Sequence, residues 1–194
     1  MTVVKVGLVG TSWWVDAMYL PALENNPNVE LTAICGRNRD NAQKMADRWG
    51  VTHVFTDYND MIDAQLLDAV LICTPNDTHY PITMKALNSG VHVLCEKPIA
   101  LSYAHAEEMV QLAEKTGLKH AVPFTYRFMP NVRYIQELIE ADYIGKPYHL
   151  NMRYYTGYAR DGNYMWRFDA KKGGSGVIGD IGAHFLYIAE WLYG

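Results

Sequence analysis

Short apolar runs alternate with longer amphipathic segments over the first two thirds of the chain. The runs are rich in Val, Ile and Leu and cover residues 3–9, 29–35, 53–55, 69–73, 91–95 and 119–122. Helical patterns occupy the intervals, at residues 15–24, 39–49, 57–63, 79–89 and 103–116. Runs that are apolar on both faces are typical of parallel strands covered by helices on either side. The pattern predicts an α/β fold: a doubly wound parallel sheet of six strands, complete by residue 122.

Residues 123–194 follow a different pattern. We interpret residues 123–127 as a linker, and we predict helices over residues 131–140 and 180–193. Residues 148–155 alternate strictly, which predicts a β-strand. One strand cannot bury its own apolar face, because a stable sheet needs about three strands or a covering helix. We therefore expect a domain boundary after residue 122, followed by the incomplete start of a second, α+β domain.

Composition narrows the class of protein. The 194 residues carry a formal net charge of −4, and 49% of them are hydrophobic, which excludes a disordered chain. The chain has no block of Lys and Arg, so we expect neither nucleic acid nor an anionic membrane surface as a partner. It also lacks a membrane-spanning apolar run and the pattern of a signal peptide. We expect a soluble, cytoplasmic protein that acts on a small molecule.

The three cysteines are interpreted as packing residues. Cys35, Cys73 and Cys95 form no Cys-x-x-Cys pair, and each closes one of the apolar runs. Buried cysteine behaves as a small hydrophobic residue, so we expect reduced thiols at strand ends and no metal site.

The turn after the first predicted strand is a candidate phosphate site. Dinucleotide-binding turns of the Rossmann fold follow the pattern Gly-x-Gly-x-x-Gly, which brings backbone amides to the pyrophosphate. Here Gly10 takes the first position, whereas Ser12 and Val15 replace the second and third glycines. The placement favours cofactor contacts from Gly10, Thr11, Ser12 and Trp13, and a plain strand-to-helix turn is the alternative.

The end of the second strand favours NADP over NAD, with NAD still possible. An acidic residue here would bind the ribose hydroxyls of NAD, whereas an arginine suits the 2′-phosphate of NADP. The sequence has Gly36 and Arg37, with no acid before Asp40. A solvated loop arginine is the alternative.

Two further groups of polar residues could carry chemistry. Lys97 follows the fifth strand. A lysine at the carboxyl end of parallel strands lies where such sheets bind ligands. The alternative is an ordinary surface lysine. Asp180 and His184 are four residues apart on one predicted helix face. Their alternative roles are a helix cap and a core histidine.

Four motifs in this order closely resemble the Gfo/Idh/MocA oxidoreductase family, which includes glucose-fructose oxidoreductase and inositol dehydrogenase. The motifs are Gly7-x-x-Gly10, Cys73-Thr74-Pro75-Asn76, Glu96-Lys97-Pro98 and Gly174-Ser175-Gly176-x-x-x-Asp180-x-Gly182-x-His184. The resemblance covers essentially the whole chain. It implies hydride transfer between a nicotinamide cofactor and a sugar, a polyol or a related hydroxyl compound.

The resemblance also implies roles for single residues. Lys97 matches the catalytic lysine, Asp180 a substrate-positioning acid, and His184 the acid/base that exchanges a proton with the substrate hydroxyl. Lys97 also matches a cofactor contact, and further positions match cofactor contacts: Thr74, Pro75, Asn76, His79, Glu96, Arg127, Trp166 and Arg167.

The sequence departs from the family pattern in ways that affect function. Tyr187 stands three residues after His184, where relatives often have an acid, so a hydrogen bond made there must change. Relatives continue into a broad open sheet, whereas this chain ends at Gly194. We expect a homo-oligomer that covers the exposed surface. The alternative function is a non-catalytic dinucleotide-binding protein without a complete substrate pocket.

Aromatic residues of the second unit are candidates for stacking on a sugar ring, or for core and interface positions. They are Tyr148, Tyr154, Tyr155, Tyr158, Tyr164, Trp166 and Phe168.

Overall fold

A six-stranded parallel sheet organises the first of two units, Met1–Val122 and Pro123–Gly194, into which the chain divides. The computed structural model describes residues 2–157, 160 and 162–194. The strands are β1 (Val4–Val9), β2 (Val29–Cys35), β3 (His53–Phe55), β4 (Ala69–Ile72), β5 (His92–Cys95) and β6 (His120–Ala121). Their spatial order is β3-β2-β1-β4-β5-β6, and every neighbouring pair is parallel. The predicted doubly wound parallel sheet is confirmed.

Five helices connect the strands. They are α1 (a π-helical turn, Val15–Tyr19, continued by Leu20–Glu24), α2 (Arg39–Trp49), α3 (Tyr58–Asp63), α4 (His79–Asn88) and α5 (Tyr103–Thr116). Local sequence sets their ends, as α2 illustrates. The side chain of Asn38 accepts a hydrogen bond from the Asn41 amide at 2.9 Å, and Gly50 ends the helix in a left-handed conformation.

The core lies on both faces of the sheet. Val6 and Leu8 of β1 pack in one buried cluster with Leu20 of α1. Val9, which points to the opposite face, packs in a second cluster with Ile82 of α4. Alternate residues of a strand face opposite sides, so burial on both sides makes the strands apolar throughout.

The second unit is helical in its described part. It contains α6 (Pro130–Glu140), the short α7 (Ala170–Gly173) and α8, in which a π-helical turn (Ile178–Gly182) leads into Ala183–Tyr193. Two 3₁₀ turns, Thr125–Phe128 and Trp166–Phe168, complete it. Among the helices of the described residues, none has the length and apolarity needed to cross a membrane.

The predicted strand over residues 148–155 is wrong. These positions carry no regular secondary structure, and Tyr148 and Tyr155 are 97% and 84% exposed. An alternating pattern forms a strand only where a neighbour takes up its backbone hydrogen bonds. The described part of the second unit contains no strand that could do so.

Candidate active site

Four loops with the predicted cofactor residues lie at one edge of the sheet. They follow the carboxyl ends of β2, β1, β4 and β5, which are neighbours in the sheet. The strand order reverses between β1 and β4, and the crevice at such a reversal is where doubly wound sheets bind ligands.

Gly10 brings the turn after β1 against the residue that follows β4. Its φ is +126°, and its amide donates to the Cys35 carbonyl oxygen at 2.9 Å. A Cβ at this position would lie 2.1 Å from the carbonyl oxygen of Cys73. Only glycine satisfies both the backbone conformation and this close approach.

The start of α1 fits a bound phosphate. The Ser12 carbonyl oxygen accepts a hydrogen bond from the Asp16 amide at 3.2 Å, so the amides of Trp13 and Trp14 precede the first bond of the helix. The Ser12 hydroxyl accepts from the Val15 amide at 3.4 Å, which leaves its own proton to donate. Helix-start amides and a hydroxyl donor are the groups that bind an anion. Val15, at the third glycine position, is fully buried in the core.

Arg37 is the second residue of the loop after β2, and it is exposed. Gly36 before it packs on the first turn, where an added Cβ would lie 2.6 Å from the Thr11 Cγ2. The arginine therefore follows a backbone that touches the candidate phosphate turn, and its guanidinium is accessible to a ligand.

His79 connects the loops after β4 and β5. The imidazole is fully buried, with Nδ1 2.8 Å from the Pro98 carbonyl oxygen and Nε2 3.0 Å from that of Thr74. Burial lowers the pKa of His79. A neutral imidazole has one N–H, so it donates to only one of these carbonyl oxygens.

The rest of the loop after β4 forms a 3₁₀ turn. The Thr78 hydroxyl lies 2.7 Å from Thr74 Oγ1 and 2.7 Å from the Pro75 carbonyl oxygen. Asn76, in the turn itself, is buried.

Glu96 places a buried carboxylate directly before the half-buried Lys97. Its Oε1 accepts hydrogen bonds from Trp14 Nε1 at 3.2 Å and from the Tyr19 hydroxyl. Its Oε2 accepts from the Lys97 amide at 3.0 Å. Burial, followed by the charge of Glu96, raises the pKa of Tyr19.

In the second unit, Asp180 lies inside the π-helical turn of α8. Its Oδ2 is 3.5 Å from Nε of Arg167, whose guanidinium carbon lies 4.5 Å from the centre of the Trp166 ring. The alternative that Asp180 caps the helix is wrong, because the helix begins before it. Asp180, inside the helix, pairs with Arg167 of the same unit.

His184 is buried under aromatic rings. The Tyr126 ring stacks on its imidazole with centres 4.1 Å apart and planes 8° apart, and Phe124 meets it edge-on at 5.9 Å. Burial, then a hydrogen bond with Tyr154 and the charge of Asp180, raises the pKa of Tyr126 to about 12. Tyr126 and Tyr154 thus add two hydroxyl groups to the surroundings of Asp180 and His184.

Arg127 lies among aromatic side chains of its own unit. Its Nη1 donates to the Tyr187 hydroxyl, and its guanidinium carbon is 5.0 Å from the Trp191 ring centre and 5.3 Å from that of Phe128. A phenol therefore accepts the arginine hydrogen bond at the position where the family resemblance suggested an acid.

Sequence reasoning missed Trp14, Tyr19 and Tyr126. A signal existed for the first two, since a glutamate at the end of a buried strand must find hydrogen-bond donors nearby. The candidate stacking residue Tyr158 lies outside the described residues.

The fold and the crevice define the class of protein. A parallel sheet of this strand order, with a glycine turn and a helix start at the reversal point, is the architecture of dinucleotide-binding α/β proteins.

Comparison with known proteins identifies the family. The model described as "Oxidoreductase family, NAD-binding Rossmann fold" matches residues 4–124, and that of the GFO/IDH/MocA C-terminal domain matches residues 132–194. The chain belongs to the Gfo/Idh/MocA oxidoreductase family, which confirms the resemblance.

Individual relatives extend beyond the length of this chain. D-glucoside 3-dehydrogenase of Escherichia coli (strain K12) is 31% identical over 98% of this chain and 54% of its own length. A scyllo-inositol 2-dehydrogenase (NADP(+)) of Bacillus subtilis (strain 168) is 28% identical over 98% of this chain and 58% of its own. The crystal structure of an oxidoreductase domain protein from Kribbella flavida superposes with a TM-score of 0.90 at 32% identity, over 99% of this chain and 53% of that one. The chain spans about half the length of the curated relatives it matches.

Proposed function

We propose that the chain is an NAD(P)-dependent oxidoreductase that acts on a hydroxyl group of a sugar, a polyol or a related compound. The observation that carries the proposal is the crevice itself. The candidate phosphate turn, Arg37 and Lys97 follow the carboxyl ends of β1, β2 and β5, which end at the same edge of the parallel sheet, with the loop after β4 between them. The names of the relatives, a glucoside dehydrogenase and an inositol dehydrogenase, support the substrate class.

We further propose that NADP is preferred over NAD. Arg37 offers a planar set of donors for a 2′-phosphate, and the first acid of this segment, Asp40, lies in the first turn of α2. A relative named for NADP(+) supports this preference. The description of the family model names NAD, which makes NAD the second candidate.

In this proposal the side chains move the proton of the substrate hydroxyl. A bound nicotinamide supplies the carbon that accepts or donates hydride. His184 exchanges the hydroxyl proton, because imidazole is the side chain whose ordinary pKa suits transfer near neutral pH. Asp180 accepts a hydrogen bond from the substrate and fixes its orientation, and Lys97 serves as the catalytic lysine.

Cofactor binding is tested by calorimetric titration with NADPH and NADH. We expect Arg37→Ala to weaken NADPH binding by about 10- to 100-fold, the value of a hydrogen bond to a charged group, and to leave NADH binding unchanged. The control is Arg133→Ala, which removes an exposed arginine of α6. Equal affinity of the native protein for both dinucleotides contradicts the NADP preference, and binding of neither contradicts the proposed function.

Catalysis is tested with a panel of aldoses and polyols. We expect Lys97→Ala to lower kcat by about 10²- to 10⁴-fold with NADPH binding retained, the range for loss of a side chain that assists proton transfer. Lys119→Ala, which removes an exposed lysine, is the matched control. Dinucleotide binding without turnover of any member of the panel favours the non-catalytic alternative.

A further inference from the structure

The carboxylate of Glu96 poses a physical problem. Glu96 is only 9% exposed, and a charge taken out of water is tolerated only where hydrogen bonds compensate it. Two of its donors are Trp14 Nε1, from the N-cap residue of α1, and the Tyr19 hydroxyl, from α1 itself, and the third is the amide of Lys97. The carboxylate therefore joins the helix after the phosphate-facing turn to the backbone of the lysine.

A π-helical turn explains how Trp14 and Tyr19 reach the same carboxylate oxygen. They are five residues apart, and in a regular α-helix such residues point about 140° away from each other. In α1 the Leu20 amide instead donates to the Val15 carbonyl oxygen, which is the i to i+5 bond of a π-helix. The wider turn brings residues five apart towards one side, and such turns are frequent at functional sites.

We propose that Trp14 and Tyr19 are positioning residues that act through Glu96 to hold Lys97 in place. The proposal rests on the proposed catalytic role of Lys97. It gives the π-helical turn a function, since the helix whose start faces the cofactor phosphates also fixes the lysine loop. In this proposal α1 both contributes to binding of the cofactor phosphates and positions Lys97.

The opposite side of the same loop is held independently. His79 approaches the Pro98 carbonyl oxygen at 2.8 Å from the α4 side, so the loop has an anchor that does not involve α1. Removing the hydrogen bonds that Trp14 and Tyr19 donate should therefore loosen the loop at Glu96, while His79 still holds it at Pro98. This predicts a local loosening at Lys97 and not the unfolding of the sheet.

The experiment measures hydrogen exchange of single amides by NMR in the full chain. In Tyr19→Phe we expect exchange at the Lys97 amide to rise by about tenfold or more, the loss of one hydrogen bond to a charged group. Exchange in β4 should not change. The matched control is Tyr103→Phe, which removes a tyrosine–glutamate hydrogen bond of 3.1 Å on the surface of α5. Trp14→Phe is the second variant if Tyr19→Phe does not fold.

A double-mutant cycle separates positioning through Glu96 from general stabilisation. In a Glu96→Gln background the neutral amide depends less on the tyrosine donor, so Tyr19→Phe should change Lys97 exchange by less than threefold. If the effects of Tyr19→Phe and Glu96→Gln on exchange of the Lys97 amide are fully additive, the proposal is overturned. Unchanged Lys97 exchange in Tyr19→Phe, or an equal rise in β4 and β5, also overturns it. NADPH titration of the native protein is run in parallel, because a failure to bind there contradicts the proposed function and leaves the exchange result intact.

Discussion

Replacing Gly10 by alanine tests the packing of the crevice most directly. The residue has a φ of +126°, a region that L-residues rarely adopt, and the new Cβ would lie 2.1 Å from the Cys73 carbonyl oxygen. The backbone conformation alone costs about 1–3 kcal/mol. The overlap involves backbone on both sides and cannot be relieved by a side-chain rotation, so we expect a total loss of at least about 3 kcal/mol.

The control is Gly50→Ala at the end of α2. Gly50 also has a positive φ, +67°, but nothing lies within 4 Å of an added Cβ. We expect a loss of about 1–2 kcal/mol there, from conformation alone. The part of the difference that exceeds the unequal conformational costs reports the contact between Gly10 and Cys73.

Urea unfolding and thermal melts, both followed by far-UV circular dichroism, measure the free energy of unfolding and Tm of both variants. For a chain of this size 1 kcal/mol shifts Tm by about 2–4 °C, so a loss of at least about 3 kcal/mol in Gly10→Ala should lower Tm by at least about 6–12 °C. NADPH titration should show a weakened site in Gly10→Ala and an unchanged one in Gly50→Ala. If Gly10→Ala costs no more than Gly50→Ala, the close approach of the turn to β4 is refuted.

Three further predictions concern ionisable groups. Because the pKa of His79 is lowered in the folded state, the unfolded chain binds more protons near this pKa. The free energy of unfolding should therefore fall as pH drops below about 6.5. Urea titrations of His79→Gln should show a weaker dependence of this free energy on pH. The pKa of Tyr126 is raised from 10.0 to about 12, so stability should decline as pH rises from 10 to 12, and Tyr126→Phe should remove this component in thermal melts. Burial raises the pKa of the Cys35 and Cys95 thiols to about 12, which keeps them from forming the reactive thiolate. A thiol reagent should therefore label the half-buried Cys73 first, and mass spectrometry would identify the labelled residue.

Each of these predictions has an opposing result. If the stability of His79→Gln falls as steeply below pH 6.5 as that of the native protein, the group responsible for the acid dependence is not His79. If Tyr126→Phe loses as much stability between pH 10 and 12 as the native protein does, the burial of that hydroxyl is contradicted. Labelling of Cys95 at the rate of Cys73 would contradict the packing of β5.

Segments with strong local signals could be predicted from the sequence. The predicted ranges 29–35, 39–49 and 103–116 agree with β2, α2 and α5 to the residue. In β2 both faces are covered, and α2 has a side-chain cap and a terminal glycine, so local pattern and tertiary environment agree.

The strand predicted over residues 148–155 shows the limit of periodicity. Alternation describes a surface that a sheet would accept, but pairing depends on a partner that is distant in sequence. The same limit applies to the two π-helical turns. Nothing in the spacing of Trp14 and Tyr19, or of Asp180 and its neighbours, distinguishes such a turn from α-helix, because the extra residue is accommodated by contacts beyond the helix.

For the candidate site, the sequence indicated which loops lie at the carboxyl ends of the strands but not how they are joined. Arg37 and Lys97 could be located from their positions after strands. The connections through His79 and Glu96 link residues whose partners are far apart in sequence, such as Tyr19 and Glu96, 77 residues apart. Contacts of this kind have no signature in a single sequence.

The central position of β1 has a consequence for the order of events during synthesis. Lys5 in β1 donates its amide hydrogen to Asp68, 63 residues later, where β4 begins. At about 5–20 residues per second, the ribosome needs roughly 3–13 s to deliver that partner. Until then the backbone N–H and C=O groups of β1 that pair with β4 have no strand partner, so the nascent chain passes through an interval in which chaperones could bind its first strand.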